Sequence, residues 1–176
     1  TTTDNATQML NVVDPGNNYV FEVHQYFDSD YSGTSATIAN NDPNIGVETL
    51  TDITEWLIAN NRKAFLGEFA VANSTIGTGS SQIGDEVINN MMGYMEQNSE
   101  VWTGFTWWAG GPWWGDYMFT IEPTGLGTSS VTDQASMDLL EPYFTSSDSS
   151  EYALRTDRWL SSGVPVPEPS TWALLL

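Results

Sequence analysis

The run at residues 19–27 (YVFEVHQYF) carries an acid, an imidazole and a phenol at alternate positions: Glu22, His24 and Tyr26. Strand side chains alternate between faces, so these three point the same way. Phe21, Val23 and Phe27 line the opposite face, interrupted only by Gln25. A purely structural face rarely gathers three such groups, because each needs a partner once it leaves water. A second run, residues 63–70 (KAFLGEFA), puts Glu68 near its carboxyl end, where a carboxylate is expensive to bury unless it is paired or used. Alternation places Ala64, Leu66 and Glu68 on one face. In a third run, residues 101–109 (VWTGFTWWA), Trp102, Gly104, Thr106 and Trp108 share a face, with Trp108 at the carboxyl end. A carboxylate, a hydrogen-bonding His–Tyr pair and a flat indole suit a sugar ring. The indole stacks on the axial C–H side, and the carboxylate attacks the anomeric carbon or steadies the positive charge that develops there. Taken singly, each residue has a plainer reading. A strand His or strand-end Glu is commonly a satisfied structural residue, and the loop PWWGDY, with Trp113 and Trp114, packs as readily as it binds.

The elements that must position these groups alternate along the chain. Residues 5–13 read as the last turns of a helix stopped by Asp14-Pro15-Gly16, and the first run reads as a strand bounded by turn formers. After a polar loop at 28–44, Val47, Leu50, Ile53, Trp56 and Leu57 recur at helical spacing, and Asn60-Asn61 stop the run. The second strand, a Gly/Ser/Thr-rich loop at 73–82 and a helix with Ile83, Val87, Ile88, Met91, Met92 and Met95 on one face follow. The third strand, the loop GGPWWGDYMF and a short helix at about 133–144 complete the pattern. Repeated strand–helix alternation is the signature of an α/β fold with a parallel sheet and crossover helices. In such folds functional groups collect at the carboxyl ends of strands, which brings His24, Tyr26, Glu68 and Trp108 to one rim. From Thr145 onward Ser, Asp and Pro dominate; residues 145–164 read as a linker, and the chain closes on VPVPEPSTWALLL.

Composition removes several classes. Among 176 residues, 23 Asp and Glu stand against 4 Lys and Arg, for a formal net charge of -19, so nucleic acid and anionic membrane surfaces are poor partners. With no Cys and one His, zinc sites, iron–sulfur sites and disulfide frameworks are excluded, and no metal or organic cofactor is expected. No apolar run reaches the ~20 residues of a membrane-spanning helix. Eight Trp, seven Tyr and seven Phe supply core material that a disordered acidic segment lacks.

The strings NNYVFEVHQYFDSDYSGTS, LGEFA and NSEVWTGFTWWAGGPWWGDY, in this order and spacing, resemble the C-terminal part of cellulases of glycoside hydrolase family 5 over about residues 5–144. The resemblance implies a (β/α)8 barrel, of which residues 1–144 form about strands six to eight. It also implies a monomeric enzyme that hydrolyses β-1,4-glucan with retention of configuration. Glu68 is then the nucleophile closing strand seven. His24 and Tyr26 close strand six, with the Tyr hydroxyl near the nucleophile, and Trp108 is the strand-eight tryptophan flooring the subsite before the cleaved bond. Trp113 and Trp114 add substrate contacts.

The chain also departs from the family pattern. The family's acid/base is a Glu in an Asn-Glu-Pro motif closing strand four, whereas here Glu-Pro occurs at 122–123, 141–142 and 168–169, never after Asn. Retaining chemistry needs a second carboxyl about 5–5.5 Å from the nucleophile, and a whole barrel takes ~250 residues. The expectation is therefore the last three of eight βα units, lacking the acid/base half and inactive alone. Residues 165–176 resemble the start of a PEP-CTERM sorting signal, which implies envelope sorting machinery as a partner and a secreted or envelope-associated protein of a Gram-negative bacterium. Three alternatives stay open: a β-mannanase or xylanase of the same family, a noncatalytic carbohydrate-binding module (usually a β-sandwich), and a surface-anchored structural protein.

Overall fold

Ile45, Leu50, Thr54 and Leu57 fall on one side of a helix and are buried there, in α2 (Ile45–Ala59). Asn60 closes α2 by donating its side-chain amide to the Trp56 carbonyl at 2.8 Å, and Asn61 turns the chain at φ 50°. Helix α3 (Gly84–Gln97) buries Val87, Ile88, Met91, Met92 and Met95, as their spacing predicts. The two helices meet at a glycine: a Cβ on Gly46 would lie 2.9 Å from that of Met91. The computed structural model describes residues 4–144 apart from 78, 80 and 81. The expected linker at 145–164 and sorting-signal start at 165–176 lie outside the described residues.

Strands β1 (Phe21–His24), β2 (Ala64–Glu68) and β3 (Trp102–Phe105) form a parallel sheet in the order β1-β2-β3. Helices α2 and α3 make the two crossovers that parallel pairing requires. Helix α4 (Ala135–Phe144) follows β3 and reaches α3 through the Tyr143 hydroxyl, which donates to Asn89 Oδ1 at 2.7 Å. Between sheet and helices lies a core in which Leu50, Leu57, Ala64, Leu66, Phe69, Val87, Ile88 and Met91 are fully buried. Each large apolar side chain there contributes roughly 1.5–3 kcal/mol. Helices between parallel strands are not the architecture of a β-sandwich binding module.

Two expectations need correction. Helix α1 spans only Asn5–Met9. It has an Asp4 cap on the Thr7 amide but buries no residue, so nothing holds residues 10–13 helical. Asp14 then turns the chain by accepting the Gly16 and Asn18 amides.

The second correction concerns faces. Ala64 and Leu66 lie in the helix-side core, not on the face with Glu68. Val23 pairs with Leu66 but His24 pairs with Glu68, so Gly67 is an extra residue in β2. That bulge swings Glu68 round to the face of His24. A similar shift lets Ala64 pair with Trp102 and Leu66 with Phe105, so β3 takes three steps where β2 takes two. Trp102 accordingly points at the helices, donating its indole N–H to Thr54 Oγ1 at 3.0 Å, and does not share a face with Trp108. Gly104, at the irregular step, has φ 153°, and a Cβ there would meet the Phe65 ring at 2.9 Å.

Candidate active site

The carboxyl ends of β1 and β2 hold the chemistry. The ladder continues past β1, with the Gln25 amide donating to the Glu68 carbonyl at 2.9 Å, which sets Tyr26 beside the Glu68 side chain. The Tyr26 hydroxyl donates to Glu68 Oε2 at 2.9 Å. His24 Nδ1 lies 3.3 Å from that same oxygen, and His24 Nε2 lies 2.5 Å from Glu22 Oε1. Both neighbours therefore converge on Oε2. Among the described residues no side chain is bonded to Oε1. The Glu68 side chain is 22% exposed, wet enough for substrate to reach and sheltered enough to be held.

Tyr26 is buried, and that burial is the main cause pushing its phenol well above the ordinary tyrosine range. Its hydrogen bond to Glu68 and the charges of Glu68, Tyr117 and Asp28 push the same way. The hydroxyl thus stays a donor at any working pH. Burial also raises Tyr117, with the nearby Trp108 side chain opposing and the Glu68 charge adding. The Tyr117 ring packs against Trp114 and Phe119 at 5.0 and 5.4 Å.

Trp108 packs on a small apolar cluster formed by Tyr26, Ala70, Ala72 and Phe119. Its ring meets Trp114 edge-on at 5.0 Å, Trp114 meets Trp113 at 5.2 Å, and Tyr26 stacks on Phe119 at 5.9 Å. The peptide bond between Trp108 and Ala109 is cis. Glu122 anchors the tryptophan loop by accepting the Gly111 amide at 3.0 Å. Tyr26 and Glu68 thus form a hydrogen-bonded pair, with His24 against the same carboxylate oxygen and Trp108 and Trp114 beside it. Trp113 stands 86% exposed at the loop tip. A cleft of about 630 Å³ lies next to this group rather than over it: Tyr117 lines it, while Glu68, His24 and Tyr26 do not.

Three contributors were not anticipated: Tyr117, Gly67 and Asp28. The buried Asp28 carboxylate accepts the amides of Gly33, Thr34 and Ser35 at 3.0–3.1 Å and the Ser32 hydroxyl at 3.1 Å. Burial pushes its pKa up, but these hydrogen bonds together outweigh burial and hold it below the usual carboxylate range. The loop so gathered lays Gly33, at φ 70°, against the Tyr26 ring, where a Cβ would stand 2.7 Å from a ring carbon. An Asp followed by Ser, Gly and Thr is a turn signal with side-chain-to-backbone bonding, and the string DSDYSGTS carried it.

Residues 1–111 match the family described as cellulase (glycosyl hydrolase family 5). The chain belongs to this family. It is 42% identical over 139 residues to endo-beta-1,4-glucanase A of Emericella nidulans, covering 79% of this chain and 39% of that one. With endo-beta-1,4-glucanase B of Aspergillus niger it shares 43% identity over 135 residues, 77% of this chain and 37% of the other. Among solved structures, an endo-beta-1,4-glucanase from Xanthomonas axonopodis pv. citri matches with a TM-score of 0.67 at 42% identity, over 78% of this chain and 40% of that one. The structure of XacCel5A in complex with cellopentaose matches with a TM-score of 0.68 at 44% identity, over 79% and 41%. The family 5 chain described here spans about two fifths of the length of the curated relatives it matches. Its structural neighbours are (β/α)8 barrels, and its described residues form a three-stranded parallel α/β part of such an architecture.

Proposed function

We propose that this chain supplies the nucleophile side of a retaining endo-β-1,4-glucanase, its three strands corresponding to strands six to eight of the barrel. The observation that carries this reading is the Glu68 carboxylate at the end of β2, with Tyr26 and His24 on Oε2 and Oε1 left open. The names of the relatives and the cellopentaose bound to a neighbour support a β-1,4-glucan as the substrate.

In this reading Oε1 attacks the anomeric carbon as the leaving oxygen takes a proton from a general acid on a segment outside this chain. A glycosyl ester on Glu68 results. Water, deprotonated by the same group, then attacks the anomeric carbon, its bond to Glu68 Oε1 breaks, and Glu68 leaves as a carboxylate. Tyr26 donates to Oε2 through both steps, and His24 stands beside that oxygen. Trp108 stacks beneath the reacting sugar, and Trp114 and Trp113 extend the aromatic surface. The neutral glucan is indifferent to the acidic surface, and the enzyme acts as a monomer. The VPVPEPSTWALLL tail supports export and envelope sorting of the protein in a Gram-negative bacterium.

The test uses the intact protein that contains this chain, treated with a 2-deoxy-2-fluoro-cellobioside bearing an activated leaving group. The peptide holding Glu68 should gain the mass of one glycosyl unit, and Glu68→Gln should lose both the label and hydrolysis of a soluble glucan. A label on another carboxylate, or an active Glu68→Gln protein, overturns the assignment. Faster hydrolysis of mannan or xylan than of glucan would move the substrate while leaving the nucleophile in place.

A further inference from the structure

We propose that Glu22 is a positioning residue of this site. Its carboxylate takes the His24 Nε2–H and fixes the imidazole with Nδ1 against Glu68, and Gly67 is the gap in the backbone that makes room for it. The inference rests on the reading of Glu68 as nucleophile.

Two observations carry it. The first is the bridge: His24 stands between two carboxylates, with Nε2 2.5 Å from Glu22 Oε1 and Nδ1 3.3 Å from Glu68 Oε2. A His ring is oriented by whatever binds its far nitrogen, which also decides where the proton sits, and the short contact is the Glu22 one. The second is the backbone. Gly67 is the bulge residue of β2, and a Cβ there would stand 2.6 Å from Cδ and 2.8 Å from Cγ of Glu22 and would overlap Oε1. Any other residue at position 67 displaces the carboxylate. The bulge that turns Glu68 into the site is thus also the cradle that admits Glu22.

The arrangement matters most part-way through the reaction. When Glu68 bonds the anomeric carbon its charge is consumed, and the contact from His24 weakens. Glu22 is not consumed. It keeps the imidazole in place until the Glu68 carboxylate is regenerated. Glu22 acts through His24 and touches neither substrate nor reacting atom.

Imidazole spectra give a direct test. In the intact protein, imidazole 15N–1H spectra are recorded, with the His24 signals identified by their loss in His24→Asn. Wild type should show a protonated, slowly exchanging Nε2. In Glu22→Leu that proton should exchange with solvent, and kcat should fall about tenfold, the low end of the scale for carboxylates that orient metal-bound histidines, with KM within about twofold. Glu22→Gln, whose carbonyl oxygen still accepts, should restore the Nε2–H signal and most of kcat. Gly67→Ala should reproduce Glu22→Leu. Glu22 is more than half exposed, so Glu22→Leu decides the matter even if Gly67→Ala does not fold. An unprotonated Nε2 in wild type, or Glu22→Leu with unchanged spectra, overturns the proposal. Changed spectra with unchanged kcat overturn the positioning role while leaving the glucanase reading intact. If Glu68→Gln stays active, the glucanase reading fails, and the spectra still say whether Glu22 holds His24.

Discussion

Replacing Tyr26 by Phe removes one hydroxyl and almost nothing else. The ring keeps its stack on Phe119 and its contact with Gly33, so no cavity opens. What is lost is a 2.9 Å hydrogen bond to Glu68 Oε2. A hydrogen bond to a charged acceptor is worth about 1.5–3 kcal/mol. Because the Glu68 side chain is 22% exposed, water recovers part of it, leaving a net loss of roughly 1–2 kcal/mol. The loss falls unevenly on the two chemical steps. In the first, Glu68 gives up its charge, so the donor stabilises the reactant more than the transition state. In the second, the charge returns to the carboxylate, and the donor assists its departure. Deglycosylation should therefore slow about 5- to 30-fold. With an aryl cellobioside whose leaving group makes the first step fast, stopped-flow measurement should show a larger burst, a lower kcat and a lower KM. Since the phenol stays protonated well beyond neutral pH, the effect should be constant across the working range. A folded Tyr26→Phe enzyme with kcat within twofold of wild type and an unchanged burst would refute the argument.

The Asp28-centred loop should respond to acid. Asp28→Ala leaves three amides without their partner and should cost about 1–3 kcal/mol in unfolding free energy by denaturant titration. Because the folded pKa of Asp28 lies below its unfolded value, that contribution is complete above the usual carboxylate range. It is lost as pH falls through the lower folded value, so the gap between wild type and variant should close in acid. At the alkaline end Tyr26 works in reverse. Its raised pKa contributes stability that is complete below about pH 10 and is lost as pH rises through the folded value, so Tyr26→Phe should resist alkaline unfolding better than wild type. Trp108→Ala should raise KM for cellooligosaccharides about three- to tenfold through lost stacking, measured by initial rates. The 176-residue chain by itself should release no reducing sugar from a soluble glucan; release that Glu68→Gln abolishes would show that the chain contains its own acid.

Much of this architecture could be read from residue spacing. The apolar residues of α2 and α3 recur with helical period, and the strand between them is too short and too apolar for anything else. The carboxyl-end rule placed Glu68 beside His24 and Tyr26, where the structure has it, but the parity rule did so for a wrong reason. Counting alternate residues put Ala64 and Leu66 beside Glu68, because a count cannot see an inserted residue. The signal was present in LGEF: a glycine inside a strand commonly marks a bulge. Gly104 in WTGF marks the irregular step of β3 in the same way, and it misassigned Trp102. Tyr117 was illegible for another reason. It lies nine residues beyond Trp108 in a loop whose path depends on tertiary anchors such as the Glu122 bond to Gly111, and no periodicity encodes such a path.

The Gly67 bulge also bears on which kinds of genetic change this protein tolerates. Inserting one codon between Ala64 and Leu66 would turn Leu66 out of the core and, with the bulge kept at Gly67, the carboxylate into the layer that Leu66 occupies, even if every chemical group survived, whereas deleting Gly67 would leave Glu68 opposite His24. A one-codon change in the polar stretch at 36–44, where no ladder counts residues, shifts no side chain from face to face. A library of single-codon insertions should therefore show a narrow window of intolerance in β2 ahead of Gly67, set by the number of residues rather than by their identity.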